Sequence, residues 1–292
     1  MPMPRKKKHR TIVYEDLLRD DFAGIHIQRK EVSGDFPYVR TSCVWRVCSW
    51  LLYYVVAIPL IFIISKLYLG LRFENRKVLK KLPPGGCFLY CNHTHILDVF
   101  VPPLAMYPKR VYTVAGADAV SIPGLQRLVM LLGCLPIPTK TSALPTLRKV
   151  IEKRYKAGGC IAVFPEAHIW PYYTGIRPFG PVSFTYPAGL NAPVIAAVVK
   201  YRRRRGLFRL CKRPGMTVHL SDPIYADAAA SLRERKISLR EQVYDYMCKT
   251  AVEGENVEYI RYVPANKENN SPENSQIPRG AADYSSICNK AK

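Results

Sequence analysis

The segment CNHTHILD, residues 91–98, places two histidines and an aspartate within a few positions of each other. It follows an apolar, strand-like stretch, so it falls at the carboxyl end of a strand, where open α/β sheets bind ligands. A helix beginning near His95 puts Asp98 in its first turn and His93 in the preceding loop. Asp98 can then accept a hydrogen bond from one imidazole nitrogen and leave the other nitrogen free as a base. The pair predicts deprotonation of an alcohol by His93. One alternative is that His95 is the base. The other is that Asp98 only caps a helix beside an unrelated histidine.

Three further segments carry groups suited to the same edge of a sheet. The strand-like stretch 160–164 ends at a proline followed by Glu166, a break that presents this carboxylate at the strand end. Residues 133–140, GCLPIPTK, form a short strand-like piece with Lys140 at its exit, where an anionic group can be held. In LNAPVI, residues 190–195, a proline precedes a buried strand. Taken singly, each has a plainer interpretation, such as a turn glutamate or a solvated lysine.

The order of these segments along the chain is more specific than any one of them. His-x-x-x-x-Asp comes first, followed by Gly-x-x-x-Ile-Pro, then Phe-Pro-Glu, then Ala-Pro-Val. Over roughly residues 45–220 the sequence resembles the glycerolipid acyltransferase family, of which the PlsC-type 1-acylglycerol-3-phosphate (lysophosphatidate) acyltransferase is the type. The resemblance implies a membrane enzyme of phospholipid biosynthesis. Such an enzyme moves a fatty acyl group from acyl-CoA or acyl carrier protein to the free hydroxyl of 1-acylglycerol-3-phosphate and forms phosphatidate.

The resemblance also implies roles for individual positions. His93 matches the catalytic base of the family, and Asp98 matches the carboxylate that orients it. The block Phe164, Pro165 and Glu166 matches the family block that helps to bind glycerol phosphate. Together with Asn92, Lys140 and Arg177, these residues are the expected substrate-binding residues.

Two departures from the family pattern concern the acceptor. The family continues Gly-Thr-Arg after its glutamate, whereas Ala167, His168 and Ile169 follow here. The second block has Lys140 where an arginine is expected, and a lysine lacks the bidentate fork that suits phosphate. Arg177 is the candidate to replace that contact. Another lysophospholipid or membrane alcohol is therefore the alternative acceptor, and a non-enzymatic basic membrane-surface protein is the alternative class.

Strand-like and helix-like segments alternate along the chain and must position these groups. Short apolar stretches predict strands at 87–91, 111–115, 160–164, 193–201 and 216–220. Helical spacing and stop signals predict helices at 123–132, 143–157 and 229–252. This alternation predicts a single α/β domain with a largely parallel or mixed central sheet flanked by helices. The expected divisions are a basic and polar arm (1–41), a membrane element (42–75), the acyltransferase α/β domain (76–264) and a disordered polar tail (265–292).

An uncharged apolar stretch at residues 47–65 approaches the roughly 20 residues that cross a bilayer. Pro59 lies inside it, where a proline breaks one helix or begins a second. Both flanks are basic, which the positive-inside rule keeps on the cytoplasmic side. We therefore expect a two-helix element that enters one leaflet of the cell membrane from its cytoplasmic face, with a single crossing as the alternative.

The chain is strongly basic, with 44 Lys and Arg against 22 Asp and Glu and a formal charge of +22. This charge predicts an anionic partner. Eight of the basic residues fall within 200–213, without a recognised nucleic-acid module, so nucleic acid is disfavoured. Lipid headgroups or an acidic acyl carrier protein fit this run better, with a solubilising loop as the alternative. No oligomeric state is indicated.

Nine scattered cysteines without a Cys-x-x-Cys pair indicate free thiols in a reducing compartment. Cys87, Cys91, His93 and His95 lie close together but lack the second ligand cluster that a zinc site needs. The sequence has no Gly-x-Ser-x-Gly elbow, which disfavours a serine nucleophile. We therefore expect no metal and no redox cofactor, and the acyl donor enters only as a substrate.

Overall fold

The structure is a computed structural model that describes residues 10–24 and 30–265. The expected basic residues at the start of the chain and almost all of the expected polar tail lie outside this range. The described strands are β1 (Arg10–Tyr14), β2 (Arg72–Glu74), β3 (Cys87–Cys91), β4 (Val111–Ala115), β5 (Cys134–Pro136), β6 (Cys160–Val163), β7 (Val194–Arg202), β8 (Gly215–Leu220) and β9 (Ile260–Pro264). The described helices are α1 (Cys43–Leu69), α2 (Val101–Met106), α3 (Gln126–Leu132), α4 (Leu144–Lys156), α5 (Thr185–Leu190) and α6 (Leu232–Val252). Single 3₁₀ segments cover Arg76–Lys81, Ile96–Phe100, Ala117–Val120, Thr141–Ala143 and Gly206–Leu210.

Seven strands form a central sheet in the order β2-β8-β7-β3-β6-β4-β5. Every neighbouring pair is parallel except β7 and β8, which run antiparallel. The expected α/β fold with a largely parallel, mixed sheet is confirmed. Because β3 and β6 are neighbours and parallel, their carboxyl ends lie side by side.

Helices cover both faces of the sheet, which explains why its central strands are apolar throughout. All five residues of β3 are buried, and they alternate between the two faces. Phe88 and Tyr90 face the core formed with α4, α5 and α6. Leu89 faces the opposite core, formed with α1 and α2.

Residues 11–24 and 30–40, which belong to the expected basic and polar arm, pack against the domain. β1 pairs in parallel with β9, so the two ends of the described chain form a separate two-stranded sheet. Val32 and Tyr38, farther along the same segment, are buried in the core that also contains side chains of α4. The part of the expected arm that is described therefore belongs to the folded domain.

The apolar stretch forms one continuous helix, α1, so the expected two-helix element is wrong. Pro59 is accommodated within it because the preceding turn, Leu51–Ala57, is π-helical. The N–H of Ile58 bonds to the carbonyl of Tyr53, five residues back, and this wider turn makes room for the proline ring next in the chain. The helix is long and apolar enough to cross a membrane, and 17% of its most apolar window is buried.

Candidate active site

The two motifs richest in reactive groups meet at the carboxyl edge of the sheet. β3 ends at Cys91 and leads into His93, while the adjacent β6 ends at Val163 and leads into Glu166. The backbone N–H of His93 donates to Glu166 Oε2 at 3.2 Å, which ties the two loops together. Sequence order alone separates these residues widely, and parallel pairing of their strands brings them into contact.

Asp98 is held rigidly at the start of the short helix Ile96–Phe100. Its Oδ2 accepts the backbone N–H of Thr94 at 2.6 Å and that of His95 at 2.7 Å. The side chain is fully buried. The expected position of Asp98 in the first turn is thus observed. The N–H groups of Thr94 and His95 are already bonded and are not free to stabilise an oxyanion.

His93 lies between Asp98 and an aromatic ring. Its Nδ1 is 3.6 Å from Asp98 Oδ2, just beyond hydrogen-bond range, and 12% of its side chain is exposed. Free enzymes often hold such catalytic contacts loosely and tighten them on substrate binding. The His93 ring stacks on Phe164, with 4.4 Å between centroids. With its proton on Nδ1 facing the carboxylate, the imidazole has a basic Nε2 for a substrate hydroxyl.

His95, the rival base, is used as a helix cap. Its Nδ1 accepts the backbone N–H of Leu97 at 3.0 Å, so its neutral form carries the proton on Nε2. Burial lowers the pKa of His95, which keeps the ring neutral. A ring with Nδ1 occupied and Nε2 protonated can donate a hydrogen bond but cannot take a proton, so the geometry favours His93 as the base.

Glu166 and Arg177, both expected to bind substrate, form a buried ion pair below the surface. Their side chains are 0% and 1% exposed, and Arg177 Nη2 lies 3.4 Å from Glu166 Oε2. The Arg177 backbone N–H donates to Glu166 Oε1 at 3.0 Å, and its guanidinium also bonds the carbonyls of Glu166 and His168. The expected substrate contact does not fit this placement. The pair fixes the loop that holds the His93 backbone.

Three other expected binding residues also have structural partners. The Asn92 side chain is buried, and its amide bonds both the N–H and the carbonyl of Val199 on β7, so it bridges two strands and does not face the site. Phe164 contacts the base directly. Pro165 lies half-buried in the turn between Phe164 and Glu166.

Lys140 lies beyond the end of β5, the strand at the edge of the sheet. It is exposed and pairs with Glu31 at 2.6 Å, and this hydrogen bond raises its pKa. In this structure the lysine charge is therefore matched within the protein, and its contact with a substrate phosphate stays a prediction.

Two features of the site were not found from the sequence. Tyr201 on β7 is fully buried and donates from its hydroxyl to Thr94 Oγ1 at 2.8 Å. Burial raises the pKa of this phenol far above its ordinary value, so it stays a donor and fixes the loop between His93 and His95. Its only sequence signal is an aromatic residue in a basic run, which does not point to a site.

The second missed feature is the cluster around Trp170, in the loop between Glu166 and Arg177. Trp170 is fully buried, stacks on Tyr262 of β9 at 4.8 Å and lies 4.9 Å from Tyr14 of β1. Its indole N–H donates to the carbonyl of Asp20. The two-stranded sheet therefore holds in place the loop that supports His93.

The site is equipped for proton transfer more than for nucleophilic attack by the protein. Burial raises the pKa of the Cys91 thiol, and the nearby charges of Asp98 and Glu166 raise it further. Its thiolate is therefore disfavoured as a nucleophile. Among residues 10–24 and 30–265, no group of three or more His, Cys, Asp or Glu side chains could hold a metal ion.

The chain is similar to a known protein family and to a solved structure. The chain matches a solved structure, that of the 1-acyl-sn-glycerophosphate (LPA) acyltransferase PlsC from Thermotoga maritima, with 15% identity and a TM-score of 0.47. The match covers 73% of this chain and 97% of that one. The comparison with curated proteins finds no match. The Acyltransferase family model matches residues 71–219, half of the chain, including His93, Asp98, Glu166 and Arg177. The chain belongs to the acyltransferase family.

Proposed function

We propose that this acyltransferase moves a fatty acyl group from an acyl thioester, acyl-CoA or acyl carrier protein, to the free hydroxyl of 1-acylglycerol-3-phosphate. His93 is the general base, and Asp98 holds its tautomer and orientation. The observation that carries the proposal is the Asp98–His93–Phe164 arrangement at the carboxyl ends of β3 and β6. Membership of the family supplies the reaction class.

The reaction balances without a covalent enzyme intermediate. Nε2 of His93 takes the hydroxyl proton as the hydroxyl oxygen attacks the thioester carbonyl carbon. The tetrahedral intermediate then expels the thiolate, which takes the proton back from Nε2. Asp98 stabilises the imidazolium that exists between these two transfers.

The decisive test compares three histidine variants of the purified protein in neutral micelles. A panel of lysolipids is offered with acyl-CoA and with acyl carrier protein, and the product is identified by mass. His93→Ala should lower the transfer rate by about 10²–10⁴-fold, because general-base catalysis typically contributes a factor of this size. His219→Ala is the matched control, because His219 lies on β8 and contacts Glu74 away from the site.

The assignment of the base is wrong if His95→Ala is inactive while His93→Ala remains active. Absence of thioester consumption by wild type with every lysolipid would instead favour the non-enzymatic membrane-surface protein. The panel also decides the acceptor, since the charge of Lys140 is matched by Glu31 and Arg177 is buried. A lysophospholipid other than the phosphate monoester is the alternative acceptor, and faster transfer to it than to 1-acylglycerol-3-phosphate would contradict the proposed acceptor.

The arrangement of α1 supports association with one membrane surface. The helix is about 40 Å long at 1.5 Å per residue. Its start bonds the domain through Ser49 and the Leu131 carbonyl, its middle through Tyr54 and the Pro108 carbonyl. Its other face carries exposed apolar side chains: Val47, Leu51, Val55, Leu60, Phe62, Ile63 and Leu67. A helix in contact with an α/β domain along its length lies parallel to the bilayer surface and buries this exposed face in lipid.

Arginines lie at the far end of the same helix. Arg204 Nη1 donates to the carbonyl of Leu67 at 3.3 Å, and Arg213 lies over the ring of Tyr68, 4.9 Å from its centroid. Both arginines belong to the β7–β8 loop (residues 203–214). This loop would meet lipid headgroups where α1 ends. The basic residues on both sides of the apolar stretch favour the cytoplasmic face of the membrane.

A further inference from the structure

A concave site lies at the start of α1, away from His93. It is a cavity of about 390 Å³ between the first turns of α1, the amino end of β4 and the end of α4. In a parallel sheet the amino end of β4 is opposite the edge that carries the candidate active site. The two sites therefore lie at opposite ends of the strands.

Four arginines line this cavity, and no acidic residue does: Arg40, Arg46, Arg110 and Arg154. Within residues 10–24 and 30–265, none of the four forms an ion pair with a carboxylate. So many converging and uncompensated positive charges favour an anionic ligand. Guanidinium groups bind phosphate oxygens through two parallel N–H donors.

Aromatic rings hold three of these guanidinium groups in place of acids. Arg40 lies over Trp45 at 4.5 Å, Arg110 over Tyr53 at 3.8 Å and Arg154 over Tyr112 at 4.7 Å. Stacking fixes the planar groups and leaves the edge donors of Arg40 and Arg154 available. The terminal nitrogens of Arg110 instead donate to the carbonyl and hydroxyl of Ser49 and to the Leu131 carbonyl, so Arg110 contributes its charge to the cavity. Arg154 Nε is buried without a hydrogen-bond partner among the described residues.

The surroundings of the cavity select a lipid phosphate over a free one. Trp45 and Trp50 of α1 line the cavity, and such residues favour the headgroup level of a bilayer. Trp50 is more than half exposed, and the apolar face of α1 continues from it. A phosphate seated among the arginines would have its acyl chains beside this apolar face.

We propose that this cavity is a binding site for the phosphate headgroup of an anionic phospholipid that is not the substrate of transfer. The bound lipid fixes the start of α1 to the domain and the domain to the membrane.

The site carries its own fluorescent probe, because two of the three tryptophans line it. Wild type in neutral maltoside micelles is titrated with dihexanoyl phosphatidylglycerol, dihexanoyl phosphatidylcholine or inorganic phosphate. Tryptophan emission should change saturably with the anionic lipid and should not respond saturably to phosphatidylcholine. The protein should bind inorganic phosphate at least about tenfold more weakly than the anionic lipid. The double variant Arg40→Gln with Arg154→Gln should weaken binding of the anionic lipid by at least about tenfold.

The matched control removes two exposed charges elsewhere, Lys149→Gln on α4 with Arg233→Gln on α6, and should bind as wild type. Arg46→Gln, at an exposed position, tests the site without disturbing a buried group. Unchanged affinity in Arg46→Gln and in a folded Arg40→Gln/Arg154→Gln protein would overturn the proposal. Equal affinity for phosphatidylcholine, or for inorganic phosphate, would also overturn it, since the ligand would then not be an anionic lipid.

Discussion

At the scale of single residues, His93 is held at three points. Asp98 faces its Nδ1, Phe164 supports its ring, and Glu166 accepts its backbone N–H. The residues of the two family motifs therefore converge on one imidazole. This arrangement leaves Nε2 as the group that can meet a substrate.

The neighbouring His95 gives a prediction that depends on pH. Burial lowers its pKa in the folded protein, so below about pH 6.5, the ordinary histidine value, the unfolded chain binds more protons. Stability should therefore be highest above that pH and should fall as the pH is lowered toward the folded pKa. His95→Asn keeps a capping side chain and should reduce this loss. Urea unfolding of wild type and variant at pH 5.5 and 7.5 measures the loss of stability in each.

His219, whose pKa is also lowered by burial, should account for the part of the slope that remains in His95→Asn. A slope identical to that of wild type in His95→Asn would show that His95 is not buried and neutral. The same variant should retain most of the transfer activity, because its role is to cap the helix.

At the scale of elements, the small sheet of β1 and β9 supports the site through Trp170. We expect Trp170→Ala to lower the free energy of unfolding by about 3–5 kcal/mol, the cost of truncating a fully buried aromatic side chain. It should also lower the transfer rate, because the loop carrying Glu166 loses its contact with the small sheet. Trp50→Ala, the same substitution at an exposed position on α1, should leave the stability nearly unchanged. Urea unfolding and the acyl-transfer assay measure both effects.

If Trp170→Ala unfolds at the same urea concentration as Trp50→Ala, the contact of Trp170 with the small sheet contributes nothing to stability. A Trp170→Ala protein with reduced stability and full activity would show that this contact does not position the loop carrying Glu166.

The elements also show how far sequence patterns reach. The strands containing residues 87–91 and 111–115 match the observed bounds, because apolar residues buried on both faces leave a clear signal. The two-helix membrane element was wrong because a π-helical turn accommodates Pro59. Segment 11–40 gave no signal because its contacts are isolated and distant in sequence, such as Asp20 with Trp170. Motif order located Glu166, and Arg177 was expected only as a replacement for a phosphate contact, because nothing in the sequence shows that the two side chains pair with each other.

At the scale of the whole molecule, the positive charge is arranged around one apolar helix. The four cavity arginines lie at the start of α1, and the β7–β8 loop lies at its end. Both ends of the helix are thus suited to an anionic surface, while the apolar face between them is exposed. In the proposed membrane association, the exposed apolar face of α1 is the part of the domain that contacts the lipid.

The charge of the β7–β8 loop gives the last prediction. Replacing Arg203, Arg205 and Arg209 by Gln removes three exposed charges, each worth about 1 kcal/mol near an anionic membrane. The partition onto vesicles containing phosphatidylglycerol should therefore fall about a hundredfold at low salt, and raising the salt concentration should shrink the difference by screening. Flotation of vesicles at two salt concentrations measures it, with Lys149→Gln, Lys153→Gln and Arg233→Gln as the charge-matched control. Those residues lie on α4 and α6, which cover the opposite face of the sheet from α1. Equal losses in both triple variants would mean that total charge alone, and not the position of the loop, sets membrane binding.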